Sequence, residues 1–159
     1  MNRSKPAVPI LDLPHCARWL WGLLVLFYLR VLAQLVARSY ELPYLPSFER
    51  WHSAVLPYPV LFAIQLSILS LMLRMAWAVT HRTVRPHRRL GVGLLVFGAV
   101  YWSAMVTRLV MGFTLFPESR FFTNWLPIFF HMVIAMFVLL SGYVHARYAR
   151  GGSTHAHSN

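Results

Sequence analysis

Acidic side chains are the scarcest resource of this chain: four Asp and Glu stand against fifteen Lys and Arg in 159 residues. None of Asp12, Glu41, Glu49 and Glu118 falls inside a long apolar stretch. The chain therefore offers no acidic metal motif and no pair of membrane-embedded carboxylates for general acid–base work. Cysteine is nearly absent too. Cys16 alone excludes an internal disulfide and with it thiol–disulfide chemistry. There is no internal repeat, no glycine-rich phosphate loop and no adjacent nucleophile–base pair, so no named reaction follows from a motif.

What is present is hydrocarbon. Hydrophobic residues make up 58% of the sequence, and four stretches, 19–37, 59–79, 90–115 and 125–146, are long enough to cross about 30 Å of bilayer at about 1.5 Å per residue. The expected fold class is all-α, an integral membrane antiparallel four-helix bundle. Residues 1–18 read as an irregular cytoplasmic lead, 19–148 as the transmembrane domain and 149–159 as a disordered cytoplasmic tail. The first stretch follows positive charges as a signal peptide would, with Val31-Leu32-Ala33 as a faint cleavage site. Arg30 directly before that site and the long charged lead favour a retained span.

The net charge of +11 suggests nucleic acid in a soluble domain, but here the basic residues lie between spans. With the N-terminus inside, ten Lys and Arg are cytoplasmic, three (Arg38, Arg50 and Arg120) are outside, and Arg30 and Arg108 lie within spans. This bias predicts both termini and the basic loop at 80–89 on the cytoplasmic side, in a bacterial cytoplasmic (inner) membrane. Topology and attraction to anionic headgroups account for the charge, and nucleic acid is not an expected partner.

Arg30, Gln34 and Arg38 recur every four residues and share one helical face. Arg38 can snorkel to the interface, whereas Arg30 lies about 12 Å deeper. Placing the spans side by side puts Arg30, Gln65, Arg108 and His131 all roughly 9–12 Å below the outer boundary, one from each helix. An arginine at such depth costs about 2.5–3.5 kcal/mol on insertion scales, so it defaults to a functional group. Two guanidiniums without an embedded acid call for an anion. Arg30, Gln34, Gln65, Arg108 and His131 are accordingly the candidate ligand-binding layer, with His131 as ligand, base or orienter. The alternative is helix packing, in which the polar groups bond one helix to another.

His131 and His145 stand fourteen residues apart, so a helix places them on nearly one face and about 21 Å apart along the axis. His15 lies before span one, level with His145, and His52 before span two, nearer His131. In histidine placement and helix count the chain resembles the bacterial cytochrome b561 family, four-helix membrane proteins whose two haems are held by histidines of the first, second and fourth helices. The resemblance implies b-type haem, with His15 and His145 as ligands of an inner haem and His52 and His131 of an outer one. It implies arginines available to the propionates.

Three functional expectations follow. The most specific is electron transfer through haem b. The second is binding, transport or modification of an anionic lipid or small anion at the outer leaflet, with membrane lipid as partner. The third is an accessory subunit of a membrane complex, docking through the small residues of the third span, among them Gly98 and Ala104.

Overall fold

The computed structural model describes residues 13–39, 57–84, 87–115 and 125–151. The described chain is all-helical: α1 (Leu13–Ser39), α2 (Tyr58–Thr80), α3 (Arg88–Thr114) and α4 (Trp125–Gly151). All four helices are long and apolar enough to cross a membrane.

The helices begin and end where backbone chemistry lets them. α1 starts at Leu13, so Pro14 and His15 belong to the helix rather than to the lead expected over 1–18. Proline is tolerated there because the first helical N–H groups have no intrahelical acceptor. α2 follows Pro57 and carries Pro59 in its first turn. Its C-terminus is closed by two bonds, from the Arg82 N–H to Val79 O (3.3 Å) and from the Thr83 N–H to Ala78 O (2.9 Å). Arg82 supplies the left-handed residue of this cap, with φ 55°, a place usually taken by glycine. At its other end α4 continues to Gly151, past the limit near 146 expected from hydropathy. His52, Glu118 and the tail expected over 149–159, beyond Gly151, lie outside the described residues.

α1 packs on α2 and on α4, and α4 carries α3, so the helices follow one another as α2–α1–α4–α3. On α1 the buried positions Leu20, Leu24, Phe27 and Val31 recur at helical spacing and meet Met72, Ala76 and Val79 of α2 with Phe137 and Val144 of α4. Trp21 Nε1 donates to Thr80 Oγ1 at 3.0 Å, joining the start of α1 to the end of α2. Ser67 and Ser70 donate to the carbonyls of Ala63 and Leu66, as hydroxyls in a lipid-embedded helix can without a partner.

The α3–α4 seam is the tightest. A Cβ on Gly91 would collide with the backbone of Ala146, and one on Gly142 would stand 2.9 Å from Leu95 N and 3.0 Å from Gly91 O. Gly98 faces Leu139 of α4, so its smallness serves packing within the chain. Ala104 stays exposed. Lipid tails are as apolar as leucine, so helices associate through close packing of this kind rather than by hydrophobic expulsion.

Overpacking costs about 1–3 kcal/mol, so Gly142→Leu should lower the melting temperature of the purified protein by about 2–10 °C. Gly93→Leu, at a position with nothing within 4 Å of a built Cβ, should leave it unchanged.

Candidate functional site

On α1 the polar stripe divides. Arg30 and Gln34 are buried, at 8% and 1% exposure, while Arg38 is exposed and lays its guanidinium on the Tyr58 ring, with Cζ 3.9 Å from the centroid. Arg38 thus leaves the interior at the C-terminal end of α1 and ties that end to α2. Arg30, two helical turns deeper, stays inside.

Gln34 meets Gln65 of α2, whose Nε2 donates to Gln34 Oε1 at 2.9 Å. Both amides are buried, and Gln34 Nε2 and Gln65 Oε1 are left without hydrogen-bond partners. Turning both amides over would exchange the roles and still leave one N–H and one carbonyl unpaired. A lone buried amide costs about 1–3 kcal/mol, so this pair holds the two helices in register and retains capacity for a further polar group.

On the α4 side, Arg30 Cζ sits 5.1 Å from the Phe130 ring centroid, a cation–π contact. Arg30 Nε has no hydrogen-bond partner. The neighbouring His131 is half-buried, and its Nδ1 lies 2.6 Å from the Tyr101 hydroxyl of α3. The two rings meet edge to face at 6.0 Å. Arg108, two turns further along the same face of α3, lies within electrostatic range of both Tyr101 and His131, as Arg30 does of His131. All five residues expected in the polar layer, Arg30, Gln34, Gln65, Arg108 and His131, therefore come together, and Tyr101 joins them. Tyr101 shares a face with Arg108 at a spacing of seven, a visible signal, but only the α3–α4 seam turns that face onto His131.

A cleft of about 90 Å³ opens between α1, α2 and α4. Arg30, Gln65 and His131 are its polar walls, and Phe27, Ile64, Ile68, Phe130 and Ile134 are among its apolar ones. Arg108 is not in its lining and acts on it through His131 and Tyr101. With Nδ1 engaged by the phenol, His131 has Nε2 to offer a ligand. The cleft thus combines a buried guanidinium, an amide and an imidazole edge with hydrocarbon on the remaining sides. Such a place suits a small anion or the charged end of an amphiphile.

The histidines of the haem expectation are distributed differently. His15 is exposed in the first turn of α1, His145 is buried in α4 with Nδ1 unpartnered, and His52 lies outside the described residues. His87, at the start of α3, is within electrostatic range of His145. Pockets for cofactor-sized ligands run to about 300–1,000 Å³, so the cleft beside His131 is too small for a porphyrin with the helices in these positions. Among the described residues no group of three or more His, Cys, Asp or Glu could hold a metal ion.

Replacing only Gln34 or only Gln65 by Leu strands the other amide and should cost about 1–3 kcal/mol, whereas the double replacement should recover most of the loss. Thermal unfolding of the four proteins of this cycle reads the coupling.

Comparison with known proteins gives no match to any family model, curated protein or solved structure.

Proposed function

We propose that this chain is a multi-pass protein of a bacterial-type cytoplasmic membrane that binds an anionic group, the head of a lipid or a small anion, in the outer half of the bilayer. Its helices run antiparallel with both termini inside. Two features support this arrangement. Lys and Arg crowd the loops assigned to the cytoplasm, ten against three. Contacts also pair early residues of one helix with late residues of its neighbour: Trp21 with Thr80, Gln65 with Gln34, and Gly91 with Ala146.

The observation that carries the anion assignment is Arg30, a guanidinium nine-tenths buried, with Nε unpaired, on the wall of a cleft. An isolated buried cation is strongly disfavoured, and no carboxylate is present on the described helices to neutralise it. A bound anion supplies that charge, with His131 Nε2 and the second N–H of Gln65 Nε2 as donors beside it. Arg108 adds positive potential from the far side of His131. The resulting activity is recognition or carriage of the anion. Haem b, the alternative from the family resemblance, would require α2 and α4 to part further around His131.

The test is thermal stabilisation of the detergent-purified protein by inorganic phosphate and by phosphatidic acid in phosphatidylcholine nanodiscs. Ligand at about one hundred times its dissociation constant should stabilise by about 2.7 kcal/mol. Arg30→Gln should remove that response and Arg108→Gln reduce it, while His145→Ala leaves it intact. A dithionite-reduced absorption spectrum with a Soret peak that His131→Ala and His145→Ala abolish would replace the anion assignment by haem.

A further inference from the structure

We propose that the ligand of this cleft is a single-chain amphiphile with a compact anionic head, a carboxylate or a phosphate, that reaches Arg30 sideways from the lipid through the seam between α2 and α4. The proposal rests on the anion assignment of Arg30 and adds to it the ligand's tail and its route.

The route follows from which seams are closed. Between α1 and α2 the outer side is tied twice, by Arg38 on Tyr58 and, deeper, by Gln65 on Gln34. Those two ties stand between the outer water and Arg30 along that seam. Between α4 and α3 the glycine contacts bring backbone against side chain and leave no gap. α2, by contrast, packs extensively on α1 alone. Its cleft-lining residue Ile64 is 44% exposed on the outward face of a helix long and apolar enough to span the bilayer, whereas Arg30 at the bottom of the cleft is 8% exposed. The mouth therefore opens beside Ile64 onto the surface that lipid covers.

The chemistry of the ligand follows from the walls. Its polar atoms come from Arg30, Gln65 and His131, and Ile64 and Ile68 of α2 with Ile134 of α4 supply hydrocarbon beside them. A free hydrated anion would have to shed its water and cross hydrocarbon to use the lateral route, at high cost. An amphiphile already has its tail in the lipid and presents only its head. The size agrees: about 90 Å³ has room for about three waters at about 30 Å³ each, which suits a carboxylate or phosphate with its first methylenes. The rest of the chain lies along the seam outside.

The experiment measures equilibrium binding to the full chain in phosphatidylcholine nanodiscs, with empty nanodiscs subtracted. The probes are dodecyl phosphate and dodecanoate, the chain-free inorganic phosphate and acetate, and the uncharged dodecanol. Dodecyl phosphate or dodecanoate should bind at least about tenfold more tightly than the chain-free anions, dodecanol should not saturate, and Arg30→Gln should abolish the difference. Ile64→Trp fills the mouth from an exposed position. It should weaken the chain-bearing anions at least about fivefold more than the chain-free ones, while Leu71→Trp, on the 65% exposed side of the same helix, changes neither. Equal binding of chain-bearing anions by the Ile64 and Leu71 variants, or equal affinity for acetate and dodecanoate, overturns the lateral route and leaves the anion site standing. Failure of every anion to bind in an Arg30-dependent way overturns both.

Discussion

A polar group within hydrocarbon must find its partner inside the protein, and much of this structure is arranged around that requirement at one level of the bundle. Gln34 reaches α2 through Gln65, Arg30 leans on Phe130 of α4, and His131 reaches α3 through Tyr101. One link after another ties four helices at a common depth. An interhelical hydrogen bond in a membrane contributes about 0.6 kcal/mol on average, several-fold less than the cost of inserting an arginine. The bonds orient the layer without offsetting its charge. The proposed anion rests on that imbalance.

The helices are held by different means, and the cleft results from the difference. α3 and α4 meet through Gly91, Gly98 and Gly142 at backbone distance. α1 meets α2 and α4 through larger side chains, Leu20, Phe27, Met72 and Phe137 among them. Bulky residues keep axes apart, and a gap of about 90 Å³ remains between α1, α2 and α4. The polar side chains of the layer border the space that remains.

His131 and His145 lie on nearly one face of α4, as their spacing requires, but their neighbours differ. His131 is engaged by a phenol and stands between two guanidinium charges. His145 is buried at the opposite end with His87 nearby. A shared face is a property of one helix, whereas a ligand pair needs a second helix to bring an imidazole and room for what lies between. Around His131 the second helix brings tyrosine and the room is that of a few waters.

The sequence by itself determined the four long helices, since apolar runs of bilayer length leave the backbone no other way to satisfy its hydrogen bonds. It also indicated the polar layer: similar distances from the span ends put Arg30, Gln65, Arg108 and His131 at one depth, and four-residue spacing set Gln34 on the face of Arg30. Helix ends were less legible, because prolines 14 and 59 signal the start of a helix as readily as a loop, and α1 accordingly begins at Leu13. Only the tertiary structure decided which faces meet. It set Gly98 against Leu139, brought the Tyr101 hydroxyl to His131, and left Ile64 exposed on the wall of the cleft. The physical reason is that spacing along a chain fixes depth and face within each helix, while the rotation of one helix against another depends on side-chain volumes that no single span contains.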